Sequence, residues 1–268
     1  MSDRFLPVGY ETPAPIFACD PWDAGNVGCA VTAIDAPPVC HLRFSIPAWL
    51  PEVHGAAIVR GREAPVNITT RKMFESVEDL NFVFAGRVEA DVERWGILAE
   101  GIYLNLSESS DFVGDRINVT TGVEQAIAEA AMTYDLLAPT DDASDVSAEI
   151  LAGARYWLVG SDGVTVTGPR GRSVTTSGNR QWVDPIVGGR IAAPLSEAIL
   201  MRLRADVGGF GAASDFTWNI EAVGEYRCSD CCGLQLGYRV LDVDYARGDG
   251  FAYDVNYRGP IAMLTFDF

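Results

Sequence analysis

The chain has 268 residues, 48% of them hydrophobic and 10% aromatic, with 27 glycines, which is long enough for one large all-β domain. Thirty-seven acidic against 20 basic side chains leave a net charge of −17, which repels phosphate and excludes nucleic acid as a partner. No stretch approaches the roughly 20 uninterrupted apolar residues that a membrane-spanning helix needs, so a helical membrane protein is excluded as well.

Residues 1–39 hold six of the 14 prolines, in stiff segments such as ETPAPIF and DAPPV, and read as an irregular extension without a core of its own. The opening MSDRFLPVGYETPAPIFACD has neither the basic nor the apolar segment of an export leader. Export therefore implies that a leader has been removed or that the native start differs. The six cysteines fall into two groups, Cys19, Cys29 and Cys40 near the start and Cys228, Cys231 and Cys232 near the end. An even count fits disulfides in an oxidising compartment. Cys228 and Cys231 also have C-x-x-C spacing, but no second such pair and no neighbouring histidine completes a zinc set, so disulfides are expected and a metal is not.

From residue 40 onward, apolar runs alternate with clusters of Gly, Asp, Ser and Pro at the spacing of consecutive antiparallel strands. Ten strands are expected, over 42–66 (bulged at Pro51), 80–92, 95–107, 115–137, 147–159, 181–192, 196–209, 214–227, 232–246 and 250–268. Splitting the first of these and adding one strand within 161–178 gives an alternative of twelve. The one helical segment is TTRKMFESVEDL, whose Met73, Phe74, Val77 and Leu80 recur at helical spacing behind a Thr69 or Thr70 cap, so a short helix is expected near 70–80.

Successive side chains of a strand point to opposite faces. In NFVFAGRVEAD, one face is Phe82, Phe84, Gly86, Val88 and Ala90, and the other carries Arg87, Glu89 and Asp91. In ILMRLRADV, Ile199, Met201, Leu203 and Val207 oppose Arg202, Arg204 and Asp206. A soluble sandwich alternates too. Here, however, the strands are long, and the polar faces carry arginine, carboxylate and glycine. Short connections (VERWG, APLSE, YRCSD) also alternate with long polar ones (SESSDFVGDR and the residues after Gly160). That combination indicates an antiparallel, up-and-down transmembrane β-barrel, apolar toward lipid and charged inside. A soluble secreted β-sandwich with a binding role is the alternative.

The stretch from Leu42 to Phe268 resembles a family of uncharacterised bacterial outer-membrane β-barrel proteins at RWGILAEGIYLNLS, GARYWLV, WVDPIVGGRI, LQLGYRVLDVDY and the closing GPIAMLTFDF. The resemblance implies a bacterial outer-membrane location, contact with outer-membrane lipid and recognition by the barrel assembly machinery. It puts the assembly signal on the terminal aromatic Phe268, and it implies no established activity. By parity, Arg87, Glu89, Glu100, Gln125, Glu129, Glu149, Arg155, Asp184, Arg190, Arg202, Arg204, Glu221, Glu225 and Arg239 point into the lumen. A barrel of about ten strands is narrow enough for side chains to fill, so this set is expected to form a mutually neutralising network in a closed scaffold or, alternatively, to line a narrow solute channel. Only two histidines, His41 and His54, are present, no catalytic motif is found, and no cofactor or enzymatic activity is expected. The acidic run Asp242 to Gly250 lacks calcium-loop spacing and reads as a hairpin loop. Residues 1–39 are expected to reach a periplasmic or surface protein, pinned to the barrel by a disulfide to the 228–232 turn.

Overall fold

A computed structural model describes residues 40–59, 62–69, 80–112, 117–137, 146–167, 173–196, 198–229, 231–247 and 250–268. Twelve strands lie among them. The first three are β1 (Cys40–Trp49), β2 (Glu52–Val59) and β3 (Arg62–Ile68). Then come β4 (Leu80–Val92), β5 (Trp95–Phe112), β6 (Ile117–Asp135), β7 (Ser147–Thr167) and β8 (Ser173–Pro194). The last four are β9 (Ile199–Gly208), β10 (Phe216–Ser229), β11 (Cys232–Arg247) and β12 (Phe251–Asp267). The expected extension over 1–39 lies outside the described residues, as does the expected helix except for Leu80, which opens β4.

Every pairing is antiparallel, and the sheet closes on itself because β1 pairs with both β4 and β12. Closure removes the open edges that lipid cannot hydrogen-bond. The wall has ten strands, β1 and β4 to β12. Two further strands belong to the segment expected as one long first strand. At Leu50–Pro51 that strand breaks, and β2 resumes the same course along β12, with Glu52 opposite Arg258 and Val59 opposite Phe251. Proline cannot donate to the ladder. Gly259 accommodates the break on the facing strand: a Cβ there would lie 2.3 Å from the Leu50 carbonyl oxygen. Strand β3 then folds back on β2 as a hairpin.

The described parts of the long polar connections expected after β5 and β7 are instead strand. β5 to β8 run for 18, 19, 21 and 22 residues, so the ladder continues through NVTT of β6 and VTVT of β7, where Thr120 faces Thr165 and Thr121 faces Val164. Threonine and valine are good strand formers whatever the solvent, and polar composition alone misreads such a projecting hairpin as loop. The 209–215 connection between β9 and β10 is compact: Gly209, Phe210 and Gly211 have φ of 83°, 50° and 71° in succession, a left-handed run that glycine tolerates best.

The outside of the wall is apolar. Trp95, Ile97, Met132, Ile150, Val183, Val187, Ile191, Met201, Leu203, Ile220, Leu236 and Leu264 are large, exposed side chains on it. Such an area would be an aggregation liability in water, but it is the expected surface of a barrel solvated by hydrocarbon.

Candidate functional site in the barrel lumen

The strands that carry apolar residues outward carry arginine and carboxylate inward. At mid-height Arg87, Arg155, Arg204 and Arg239 meet Glu100, Glu129, Asp206 and Glu221, and all eight are buried. Arg87 grips Glu221 through both terminal nitrogens at 2.8 and 2.7 Å and donates from Nε to Glu100 at 2.5 Å. Glu129 accepts from three guanidinium groups, Arg155 (2.8 Å), Arg204 (2.5 Å) and Arg239 (3.1 Å). Asp206 accepts from Arg155 at 2.6 Å, Arg204 at 2.9 Å and Asn219 at 2.9 Å. Arg239 also pairs with Glu100 and lies over the Trp49 ring, 4.9 Å from its centroid. Four positive and four negative groups thus neutralise one another, and the several hydrogen bonds each makes offset the cost of removing it from water.

A second tier lies toward the end where β1 begins and β12 finishes. Arg190 bridges Glu89 (2.5 Å) and Glu149 (2.5 Å). Glu225 accepts from Arg202 (2.7 Å), Arg43 (3.4 Å) and Gln235 (3.0 Å), and Arg43 also holds Asp267 at 2.6 Å. Below this tier a vestibule of about 640 Å³ is lined by Arg43, Glu89, Asp91, Arg190, Arg202, Arg227 and Asp267, among others. Asp184 sits apart, buried beneath the 209–215 loop, where it accepts from the Ser214 amide (2.7 Å) and hydroxyl (2.6 Å) and from the Trp182 indole (3.1 Å).

Above the mid-height tier the lumen is apolar, and the parity argument missed this. Trp157, Trp182, Tyr245, Phe251, Tyr253, Tyr257, Leu241, Val243 and Val255 form one buried cluster, with Trp49 and Ala213 packed against it. Trp157 stacks on Trp182 at 5.8 Å, and Trp182 on Tyr245 at 4.3 Å. Gln125, expected in the lumen, hydrogen-bonds the Tyr257 hydroxyl, which also meets that of Tyr253. The signal was present in β11 and β12. On β12 the outward positions below Pro260 are the apolar Ala262, Leu264 and Phe266 and those above it the polar Asp254, Asn256 and Arg258, while Phe251, Tyr253, Val255, Tyr257, Ile261 and Met263 face inward. On β11 the switch falls between Val240 and Leu241. Below it the strands face lipid outside; above it they face water outside and bury apolar groups within.

His41 and His54 are not brought together: His41 lines the vestibule, whereas His54 is on β2 at the far end of the same strand course, 3.6 Å from Glu52. Phe268 lies at the vestibule lip, 77% exposed, with its amide donating to the Leu42 carbonyl at 2.8 Å. The expected disulfides are not found among the described residues. Cys228, Cys231 and Cys232 are free thiols. They sit at the β10–β11 connection, where Cys231 and Cys232 lie near the Ser229 hydroxyl at 3.5 and 3.3 Å. Cys19 and Cys29, and the side chain of Cys40, lie outside the described residues.

A closed barrel, an apolar exterior and a charged interior make this an integral β-barrel of the bacterial outer membrane. No family model matches the sequence, and no curated protein matches it. Solved structures it is similar to include bacterial outer-membrane proteins. The outer membrane protease OmpT from Escherichia coli is 11% identical over 85% of this chain and 96% of its own, with a TM-score of 0.48. The attachment invasion locus protein Ail of Yersinia pestis is 10% identical over 85% of this chain and 99% of its own, with a TM-score of 0.34. The toluene transporter TodX of Pseudomonas putida is 8% identical over 85% of this chain and 88% of its own, with a TM-score of 0.28.

Proposed function

We propose that the protein is a closed structural barrel, neither a solute channel nor an enzyme. The observation that supports this is the filling of the lumen in two consecutive layers. Arg155, Asp184, Arg239 and Trp157 are each 0% exposed, and a hydrated path cannot pass side chains that water does not touch. Opening one would require breaking several short ion pairs together, each costing about 3–5 kcal/mol when one partner is left unpaired. The same locking removes the mid-height carboxylates from acid–base work, and His41 lines the vestibule, not the space beside that tier.

On this reading the function lies in the surfaces: the projecting β5–β8 hairpins on one side and the vestibule with Phe268 on the other. Phe268 is the residue through which the assembly machinery would recognise the chain, and residues 1–39 would reach a periplasmic or surface protein. The test is conductance in planar bilayers. The expected result is no stepwise current at 1 M salt from the purified protein, with Glu129→Ala, which unlocks three arginines, admitting ions. A steady conductance of the unmodified protein would overturn the closed-scaffold reading in favour of the narrow channel.

A further inference from the structure

The β10–β11 connection carries three of the six cysteines, Cys228, Cys231 and Cys232, and all three are free thiols. It lies at the vestibule end of the barrel, since Arg227 and Ser229 line that space. Cys228 and Cys231 are exposed and Cys232 is half-buried, so solutes on that side reach the sulfurs.

Backbone pairing holds this connection in place. Ser229 stands opposite Cys232, and Cys232 opposite Phe266, while the Cys231 carbonyl accepts from the Asp267 amide at 3.0 Å. The ladder shifts register between Arg227 and Ser229, so Cys228 is the extra residue of a β-bulge, the device by which a strand re-aims a side chain. Its sulfur meets the Tyr226 carbonyl at 3.8 Å. The other two sulfurs face a single point: the Ser229 hydroxyl donates to Cys232 Sγ at 3.3 Å and lies 3.5 Å from Cys231 Sγ. Exposed side chains change rotamer in picoseconds to nanoseconds, so closing on a shared ion moves these side chains and leaves the pinned backbone where it is.

The donors select the ion. Thiolate sulfur is soft and suits Cu(I), whereas magnesium, calcium and manganese take oxygen. A structural zinc needs four ligands, and among the described residues no three His, Cys, Asp or Glu side chains are grouped to hold a metal. That lack, which argues against zinc in the sequence as well, does not weigh against an ion that two thiolates satisfy in line.

We infer that Cys231 and Cys232 form a binding site for one soft monovalent cation, Cu(I), held between their two sulfurs at the lip of the vestibule. Each thiol gives up its proton as its sulfur bonds the ion, so two protons leave per ion bound and no electron is transferred. The site does not depend on whether the lumen conducts.

The test uses the full chain in detergent, reduced, with Cys19, Cys29 and Cys40 replaced by serine so that no other thiol competes. Cu(I) is supplied from its bathocuproine disulfonate complex, whose absorbance falls as the protein withdraws the metal. One equivalent per chain is expected, with two sulfur neighbours in X-ray absorption at the copper edge. Cys231→Ser and Cys232→Ser should each weaken binding at least about a hundredfold, because a hydroxyl is a hard donor, whereas Cys228→Ser should change it by under about threefold. A urea midpoint measured on each variant separates a lost site from a lost fold. No withdrawal of copper, or withdrawal that both serine variants leave intact, overturns the inference. Half an equivalent per chain overturns it too, since the ion would then bridge two molecules. So does a disulfide between Cys231 and Cys232 in protein extracted without reductant, which would consume both ligands.

Discussion

Glu129 accepts from three guanidinium groups while buried at mid-lumen, so its charge is what allows Arg155, Arg204 and Arg239 to share one layer. Glu129→Gln keeps the shape and removes the charge. It is expected to cost about 3–5 kcal/mol, read as a lower urea midpoint for unfolding from detergent or bilayer. Arg258, exposed and 3.9 Å from Glu52, is the contrasting case, and Arg258→Gln should shift the same midpoint by under about 1 kcal/mol. Glycine acts at this scale too. A Cβ on Gly237 would lie 2.0 Å from the Ala222 carbonyl oxygen on the neighbouring strand, so Gly237→Ala forces the two strands apart and should cost about 1–3 kcal/mol by the same measurement. That Glu129 and Arg155 face inward was legible from alternation alone. That one carboxylate serves three arginines was not, because partners on β6, β7, β9 and β11 are set by barrel register.

The strands divide according to the solvent on their outer face. β9 is apolar outward throughout and carries Arg202, Arg204 and Asp206 inward, and its sequence reads directly. β11 and β12 change solvent partway: on β11 the apolar set changes face with it, and on β12 the outward face turns polar above Pro260, which is why parity placed their lower halves and missed the aromatic core above. The 209–215 loop shows the same limit. Its sequence reads as a turn, but Asp184 on β8 receives both the amide and the hydroxyl of Ser214, drawing the loop over the lumen. Asp184→Ala removes that acceptor and leaves the Trp182 and Ser214 donors buried without it. Limited proteolysis of this variant in detergent is expected to cleave within 209–215 at least about tenfold faster than in the unmodified protein, while the rest of the barrel stays resistant. Equal cleavage rates would show that backbone conformation alone holds the loop.

At the scale of the molecule, seven consecutive residue pairs join β1 to β12, from Arg43–Asp267 to Trp49–Ile261, and six join β1 to β4. Phe268 continues the first of these ladders through its amide and carbonyl bonds to Leu42. The closed wall separates two classes of tryptophan. Trp95 lies on the outside, 4.8 Å from Tyr134 at an edge angle, where amphipathic aromatics suit a membrane interface. Trp157 is enclosed in the lumen. In bilayers containing brominated lipid, a variant keeping only Trp95 is expected to lose most of its fluorescence, and one keeping only Trp157 to lose little. Comparable quenching of both would mean that the apolar face is not the lipid face.

By itself the sequence determined that the chain is an antiparallel barrel with an apolar outside and an ionic inside, because a strand's two faces are written in alternate residues and each face must match its solvent. It also placed an irregularity in the first strand at Pro51, which it read as a bulge and which is a break, since proline lacks the N–H that a ladder uses. Only the tertiary structure decided which charges pair, that the projecting segments of β5–β8 are strand, and that the upper lumen is aromatic. These depend on register and closure, which bring together residues far apart in the chain and leave no trace in local pattern.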